Sequence, residues 1–420
     1  MIARIARLFS DRSPEPAPAG ALALALTGGG ARSAYQAGVL RALARRFPSL
    51  RPDILTGVSA GGLNAAFLAA TADEPFEVAT ERLVEIWRVL EAEHVYRIDR
   101  PTVMQAVARL VRRPSEVAPP AEGGFLDTTP LKNFVEGHFG PVGSPIEAID
   151  RTVRDGHLGA FALTTTSYTT GQSVTWVQGE GVEAWDRPMR RAVRTRIRPE
   201  HILASAALPF FFPAVAIEDA IVGPGWYGDG GIRLTAPLSP ALHLGADKVL
   251  VINTRYRQSA AEAATPKLDA YPPPTRMLGI LMNAVFLDVI DRDAKTLRRV
   301  NELLAATPRE QWGGFRPVDL LVLRPSEDLG KLAAGFEPVL PPSMRLVTGG
   351  LASGDSVSPD WLSMLLFDPD YVNRLVELGE ADAERQIGTV GAFLGVADEE
   401  PEPSPVSEAA SRSGRSRRRA

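Results

Sequence analysis

The chain has no cysteine, and its 420 residues include only five histidines and five lysines. The absence of cysteine excludes disulfide bonds, a thiolate nucleophile and a Cys-ligated metal. The histidines lie without the spacing that is typical of metal ligands, so we expect no metal and no other cofactor. Lysine is scarce beside 41 arginines, yet the net charge is only −4. The composition therefore does not favour a nucleic-acid partner.

Long hydrophobic runs are absent as well. The first 20 residues contain arginines that interrupt short apolar patches, which is not typical of a secretory signal. The nearest candidate for a membrane span, "MLGILMNAVFLDVI" (Met277 to Ile290), is too short and contains an aspartate. We therefore expect a cytoplasmic protein that contacts membranes only at their periphery.

The two ends of the chain differ from the rest in composition. Residues 1–20 place apolar side chains at helix-face spacing among arginines, which predicts a flexible or amphipathic N-terminal segment. Residues 399–420 are of low complexity and predict a disordered tail. Five of the last nine residues are arginine, which is compatible with weak attachment of the tail to an anionic membrane. The alternative is a solvated tail that makes no such contact.

Between these ends the sequence alternates strand and helix patterns. Its 45% hydrophobic content is enough for one large α/β domain. The stretch "ALALALTGGGARSAYQAGVLRAL" (Ala21 to Leu43) predicts a strand, a glycine-rich turn and a helix. The stretch "PDILTGVSAGGLNAAFLAA" repeats this pattern, with a strand at Ile54 to Thr56. In a parallel sheet both turns lie at the carboxyl edge, where ligands bind in open α/β folds.

Later segments continue the α/β pattern. "AFALTTTSYTTGQSVTWVQ" predicts a β-hairpin around Thr170-Gly171, and "RPEHILASAALPFFFPAV" predicts a helix that ends at Pro209. "GWYGDGGIRLTAPLSPALHLGADKVLVINT" predicts a loop, a helix and a buried strand. We expect a further helix from about Thr275 to Leu304 and a last strand in "VDLLVLRP".

The pattern Gly57-x-Ser59-x-Gly61 between a strand and a helix is typical of a nucleophile elbow. The sharp turn exposes the serine hydroxyl, and the glycines keep neighbouring side chains away from it. The helix that begins at Ala60 directs free N–H groups and its positive dipole end toward the same point. These features predict that Ser59 is a nucleophile, and the alternative is a tight turn without chemistry.

A serine nucleophile needs a base, because its hydroxyl is a poor nucleophile at neutral pH. Asp229, in "YGDGGIRLTAP", and His243 follow Ser59 in the order of a Ser-Asp-His triad. However, only one strand-helix unit precedes Ser59, and His243 lies inside an apparent helix. The triad therefore stays an alternative, and an Asx-turn is the alternative role of Asp229.

The glycine turn fits either an oxyanion hole or the phosphate cradle of a dinucleotide site. A dinucleotide site requires an acidic residue about 20 residues later, at the end of the second strand. Asp53 has that spacing but precedes the strand, and the turn lacks the third glycine of the motif. These departures favour the oxyanion hole.

Four motifs in this order resemble the patatin-like phospholipases: "GGGARSAYQAGVLRAL", "GVSAGGLNA", "ASAALPFFFPAV" and "YGDGGIRLTAPLSPALHLGADKVLVI". The resemblance extends from about Ala23 to Ile252, and the later "LLVLRPS" also looks like bacterial members of the family. It implies a three-layer α/β/α sandwich around a mostly parallel sheet. It also implies a lipid acyl hydrolase that works through an acyl-enzyme without a histidine.

The resemblance assigns roles to individual residues. It implies that Ser59 is the nucleophile and Asp229 the base of a dyad. The implied oxyanion hole consists of Gly28, Gly29, Gly30 and Ala31. The implied motif-supporting residues are Arg32, Gly57, Gly61, Gly230 and Gly231. Ser33 stands where the family usually has glycine, which is expected to change how the following helix begins. Arg32 is expected to hold the loop or to meet a lipid phosphate.

These features predict four segments and one function. Residues 1–20 form the N-terminal segment, 21–254 the catalytic domain, 255–398 a C-terminal extension that packs on its core, and 399–420 the tail. The predicted function is the hydrolysis of phospholipid or related acyl-lipid esters. The alternatives are a carboxylesterase that uses His243 and a catalytically silent lipid-binding scaffold.

Overall fold

A computed structural model of the chain describes residues 20–97, 126–264, 271, 277, 289–336 and 359–396. The predicted tail, nearly all of the N-terminal segment, and most of the predicted helix before residue 289 lie outside these residues. Within the described part of the chain, no helix has both the length and the apolar content needed to cross a bilayer.

The described residues form one sheet of ten strands. In chain order the strands are β1 (Leu22–Leu26), β2 (Ile54–Val58), β3 (Ala160–Ser167), β4 (Ser173–Gly179), β5 (Asp186–Arg187), β6 (Arg190–Arg194), β7 (Val215–Asp219), β8 (Gly223–Asp229), β9 (Lys248–Ile252) and β10 (Asp319–Leu323).

The helices of the described residues lie between and after these strands. They are α1 (Ala34–Arg46), α2 (Ser59–Ala70), α3 (Phe76–Val89), α4 (Ala92–Val95), α5 (Thr129–Phe139), α6 (Glu147–Arg154), α7 (Pro199–Ser205), α8 (Ser239–His243), α9 (Ala260–Ala264), α10 (Val289–Ala305), α11 (Leu329–Ala334), α12 (Pro359–Leu365), α13 (Pro369–Arg385) and α14 (Ile387–Leu394).

The strand order across the sheet is β10-β9-β1-β2-β3-β4-β6-β5. The five strands from β10 to β3 are all parallel to one another. β4 returns antiparallel to β3, and β7 and β8 form an antiparallel pair that joins the sheet through β3. The carboxyl ends of the parallel strands therefore share one edge, where the two glycine-rich turns follow β1 and β2.

Two strands meet end to end beside β3. One side of β3 pairs with β4. The other side pairs with β2 as far as Thr164, opposite Val58, and then with β8 from Thr165, opposite Asp229. Because β2 runs parallel to β3 and β8 runs antiparallel, the carboxyl ends of β2 and β8 point at each other. This register brings Asp229 next to the residue that follows β2.

The alternation in "ALALAL" assigns the side chains of β1 to two cores. The leucines of β1 join a buried cluster with α1, α2, α3 and α13 on one face of the sheet. The alanines join a second cluster with α8 and α10 on the other face. Small residues allow the second helical layer to approach closely, and the result is a three-layer α/β/α sandwich. The predicted fold class is confirmed.

The C-terminal helices contribute to the same core as the first helix. α13 packs along α1, and a Cβ on Gly38 would lie 2.0 Å from the Val376 carbonyl oxygen. A Cβ on Gly379 would lie 2.2 Å from the carbonyl oxygen of Tyr35. The two backbones are therefore in direct contact. β10 lengthens the sheet beside β9, so the segment after residue 254 is built onto the main sheet.

Several local predictions agree with the structure and others need correction. The hairpin around Thr170-Gly171 is present as β3 and β4. β2 continues to Val58, two residues beyond the prediction, and α7 ends at Ser205, before Pro209. The predicted loop that contains Asp229 is strand β8 up to that residue. Its glycines do not favour a strand by themselves, and the pairing with β3 and β7 imposes it.

Candidate active site

Ser59 is the first residue of α2 and has a φ of 56°. This left-handed conformation is rare for a residue with a side chain and forms the sharp turn between β2 and α2. A Cβ on Gly57 would lie 2.6 Å from the Cα of Gly62, and a Cβ on Gly61 would lie 2.3 Å from the Thr27 carbonyl oxygen. Both positions therefore require glycine.

The main chain of Ser59 is held by a second serine. The Ser59 N–H donates to the Oγ of Ser205 over 2.9 Å. The Ser205 hydroxyl donates in turn to the carbonyl oxygen of Thr164 over 2.7 Å. Ser205 is fully buried at the end of α7, so the turn is anchored to the interior of the protein.

Asp229 is the last residue of β8, and it is fully buried. Its Oδ1 accepts the N–H of Gly231 over 2.8 Å. A Cβ on Gly230 would lie 2.2 Å from the Thr164 carbonyl oxygen, so glycine is required where the chain leaves the sheet. Among the described residues, no group forms a hydrogen bond of normal geometry with Oδ2.

The environment of Asp229 makes its carboxyl group a weaker acid. Burial raises the pKa of Asp229 to about 7. The nearby Ser59 hydroxyl and the Gly231 N–H lower the pKa, but they offset only part of the effect of burial. A carboxyl with a pKa near neutrality can both accept and return a proton at physiological pH.

The glycine turn lies against Ser59 and α12. A Cβ on Gly28 would lie 3.0 Å from the Cβ of Ser59 and 3.7 Å from its Oγ. Gly30 has a φ of 56°, and a Cβ there would lie 2.1 Å from the Met364 carbonyl oxygen. The carbonyl oxygen of Gly28 accepts the hydroxyl of Thr254 over 2.6 Å. The turn is thus fixed on one side by the loop after β9 and on the other by α12.

Backbone N–H groups of this turn are available to a ligand. The Arg32 N–H donates to the Gly29 carbonyl oxygen, which begins the short 3-10 helix Gly30–Ser33. No hydrogen bond among the described residues uses the N–H group of Gly28, Gly29, Gly30 or Ala31. Such N–H groups at a helix N-terminus form a site for negative charge.

Arg32 lies inside the protein, with 3% of its surface exposed. Its Nε donates to the hydroxyl of Ser363, on α12, over 2.6 Å. This contact ties the turn to α12 and fits the loop-holding role better than contact with a lipid phosphate.

A buried polar network lies behind the turn and was not anticipated from the sequence. The Gln36 side-chain amide donates to the carbonyl oxygens of Thr27 and Ile252. Asn64 donates to the Ser33 carbonyl oxygen and to Gln36, and it accepts the indole N–H of Trp87. The network joins α1, α2 and α3 to the first residues of the turn.

His243 lies apart from this group of residues. It is the last residue of α8, and its ring stacks on Trp185 with 4.5 Å between the ring centroids. Within the described part of the chain, no histidine forms a hydrogen bond with Ser59 or Asp229. The described residues also contain no group of histidines and acidic residues that could hold a metal ion.

The fold and this site define a protein of the α/β/α class, with a serine on a strained turn at the carboxyl edge of the sheet. Residues 24–242 match the model of the patatin-like phospholipase family. This match spans more than half of the chain, and the chain therefore belongs to the patatin-like phospholipase family. It is accordingly a lipid acyl hydrolase.

Comparison with solved structures gives weaker similarities. Human GIVD cytosolic phospholipase A2 is 12% identical, with a TM-score of 0.43 over 94% of this chain and 62% of its own. VipD from Legionella pneumophila is 12% identical, with a TM-score of 0.33 over 95% of this chain and 75% of its own. A chain of the ExoU–SpcU complex from the type III secretion system of Pseudomonas aeruginosa is 13% identical, with a TM-score of 0.27 over 96% of this chain and 84% of its own. No curated protein matches the chain.

Proposed function

We propose that this protein hydrolyses ester bonds of phospholipids or related acyl lipids through a dyad of Ser59 and Asp229. The observation that supports the proposal is the end-to-end meeting of β2 and β8 beside β3, because Asp229 ends β8 and Ser59 directly follows β2. The lipid substrate class follows from the family. Neither a histidine nor a metal takes part in the proposed chemistry.

The first half of the reaction forms an acyl-enzyme. Asp229 removes the hydroxyl proton of Ser59, and Oγ attacks the carbonyl carbon of the ester. The N–H groups of Gly28 to Ala31, chiefly Gly29 and Gly30, bind the oxyanion of the tetrahedral intermediate. The bond to the alcohol then breaks, and the carboxyl proton of Asp229 passes to the departing oxygen.

The second half releases the fatty acid. Asp229 removes a proton from water, and the resulting hydroxide attacks the acyl carbon. When the bond between that carbon and Oγ breaks, the proton returns from Asp229 to Ser59. A base with a pKa of about 7 is suited to both proton transfers, because neither protonation state is strongly disfavoured near neutrality.

The two alternatives make different predictions. A carboxylesterase with a triad requires His243 to contact the dyad, whereas its ring stacks on Trp185. A silent scaffold requires an unreactive Ser59.

Peripheral contact with anionic membrane is also part of the proposal. It includes contact through the arginine-rich tail, which lies outside the described residues.

The deciding experiment combines a fluorophosphonate probe with phospholipid hydrolysis. We expect the probe to label the wild-type protein and a variant with His243→Ala, but not Ser59→Ala. Ser59→Ala and Asp229→Asn should each lower hydrolysis by several orders of magnitude, and the double variant should be scarcely worse than either. The exposed Ser144→Ala provides a control that keeps activity.

Three results would count against the proposal. Labelling that survives Ser59→Ala excludes Ser59 as the nucleophile. Losses from Ser59→Ala and Asp229→Asn that multiply in the double variant exclude a paired role. Loss of activity in His243→Ala, with the fold intact, favours the triad.

A further inference from the structure

Ser205 connects the proposed nucleophile to the centre of the sheet. Its hydroxyl oxygen accepts the Ser59 N–H over 2.9 Å, and its proton is donated to the Thr164 carbonyl oxygen over 2.7 Å. Ser205 has no exposed surface, so water does not compete for either bond. The residue lies in "ASAALPFFFPAV", a motif to which the proposed mechanism gives no role.

The backbone of Ser59 depends on such support. A residue with a side chain adopts a φ of 56° only where the surrounding structure enforces it, because this conformation is strained. Without an acceptor at Ser205, the buried Ser59 N–H loses its hydrogen bond and the strained turn loses one of its restraints. The hydroxyl of Ser59 is then free to move away from the glycine turn and from Asp229.

The segment that contains Ser205 also holds the proposed base. The Asp229 N–H donates to the carbonyl oxygen of Ala207 over 3.0 Å. The Thr166 hydroxyl donates to the Asp229 carbonyl oxygen over 2.8 Å. Residues 205–207 are thus bonded to the main chains of both members of the dyad, which come from distant parts of the sequence.

We propose that Ser205 is a positioning residue, whose two hydrogen bonds fix the distance and orientation between the Ser59 hydroxyl and the Asp229 carboxylate. Ser205 does not touch the reacting atoms, and it acts through the backbone of Ser59. The inference rests on the proposed function.

The test compares Ser205→Ala, which removes both bonds, with Ser205→Thr, which keeps a hydroxyl. Thr152→Val is the matched control, because Thr152 is also fully buried and its hydroxyl also donates to a carbonyl oxygen, that of Ala69. Thr152 lies on α6 and contacts neither member of the dyad. Each variant is assayed with a monomeric ester for kcat and KM, and thermal unfolding is measured in parallel.

We expect Ser205→Ala to lower kcat by roughly 10- to 100-fold, because small displacements of reacting groups have effects of that size. KM should change by less than about two-fold, since uniform substrate binding is not affected. Ser205→Thr should recover most of the lost kcat. Thr152→Val should keep the wild-type kcat even if it unfolds at a lower temperature.

The pH profile separates positioning from a general loss of structure. The Ser59 hydroxyl lowers the pKa of Asp229 in the free protein, so a displaced Ser59 should move the acidic limb of the kcat/KM profile to higher pH. This shift should occur in Ser205→Ala and not in Thr152→Val. If Ser205→Ala does not fold, Ser205→Cys replaces it, because sulfur is a weaker acceptor and should give an intermediate kcat and a smaller shift.

The proposal is overturned if Ser205→Ala keeps kcat within about two-fold of the wild type. It is also overturned if kcat falls in Ser205→Ala while the acidic limb of the pH profile does not shift and Ser205→Thr does not recover the lost kcat. Ser59→Ala is assayed beside these variants. If Ser59→Ala remains active, the proposed function has failed; if it is inactive while Ser205→Ala is normal, only the role of Ser205 has failed.

Discussion

The carboxyl group of Asp229 lies inside the protein, where one oxygen accepts the Gly231 N–H and the Ser59 hydroxyl is nearby. Because burial raises its pKa to about 7, it is ionised only above that pH. We predict that kcat/KM rises with pH through about 7 and then stays level, since the base of the free enzyme must be ionised. A pH profile with a monomeric ester measures this, and a limb near pH 4, the value of an ordinary carboxyl, would contradict it.

The burial of Asp229 also affects the stability of the folded protein, which falls as the pH rises, whereas the activity increases. The unfolded chain ionises Asp229 near its ordinary pKa of 3.8, whereas the folded protein holds the proton until about pH 7. Stability from this group is therefore lost as the pH rises between these values, by on the order of 4 kcal/mol. We predict that Asp229→Asn unfolds at a higher temperature than the wild type at pH 8 and at nearly the same temperature at pH 4. If the unfolding temperatures of Asp229→Asn and the wild type differ equally at pH 4 and pH 8, the ionisation of Asp229 does not destabilise the folded protein.

Gly28 offers a sharper test of the proposed oxyanion hole than Gly30. Alanine at Gly30 would be strained by the positive φ and would collide with the Met364 carbonyl oxygen, so loss of fold would obscure loss of chemistry. Alanine at Gly28 would place its Cβ 3.0 Å from the Cβ of Ser59. We predict a fall in kcat of roughly 100-fold with little change in unfolding.

The control for Gly28→Ala is Gly137→Ala on α5, where an added Cβ meets nothing within 4 Å. Its kcat should equal that of the wild type. An unchanged kcat in Gly28→Ala would mean that the turn does not border the reacting groups.

At the scale of whole elements, the buried network of Gln36, Asn64 and Trp87 joins three helices. Asn64→Leu removes the acceptor of the Trp87 indole N–H and the donor to the Gln36 side-chain oxygen, and it leaves these two buried groups without those hydrogen bonds. We predict a loss of unfolding free energy on the order of 2–4 kcal/mol. Denaturant unfolding measures it.

A double-mutant cycle tests whether the bond between Asn64 and Trp87 is the cause of the lost unfolding free energy. Trp87→Phe removes the other partner of the 2.8 Å bond, so Asn64→Leu with Trp87→Phe should cost less than the two single changes added together. Additive costs would show that the bond between these residues is not what the single variants lose.

Elements with strong local signals could be predicted from the sequence. The alternation of β1, the glycine turns after β1 and β2, and the hairpin at Thr170-Gly171 are present in the structure. β8 was missed, because "GPGWYGD" has few strand-forming residues and becomes a strand only through pairing with β3 and β7. Ser205 and Asn64 were missed as supports of the site, since polar residues inside helices give no sign of the backbone groups they will meet.

Taken as a whole, the molecule does not separate at residue 254. β10 pairs with β9, α13 lies directly on α1, and Ser363 of α12 accepts the Arg32 Nε–H. We predict that a chain ending at residue 254 is insoluble or unfolds without cooperativity, because these surfaces would be exposed. A chain ending at residue 398 should fold and hydrolyse a monomeric ester. A soluble 1–254 chain that a fluorophosphonate labels would contradict this prediction.

The end-to-end meeting of β2 and β8 also has a consequence for the newly made chain. The elbow and the glycine turn are complete within the first 70 residues or so, but Asp229 and α12 emerge from the ribosome much later. A chain that is still being synthesised therefore carries Ser59 without its proposed base and the glycine turn without its α12 support. We expect lipid hydrolysis to begin only when the last helices have docked.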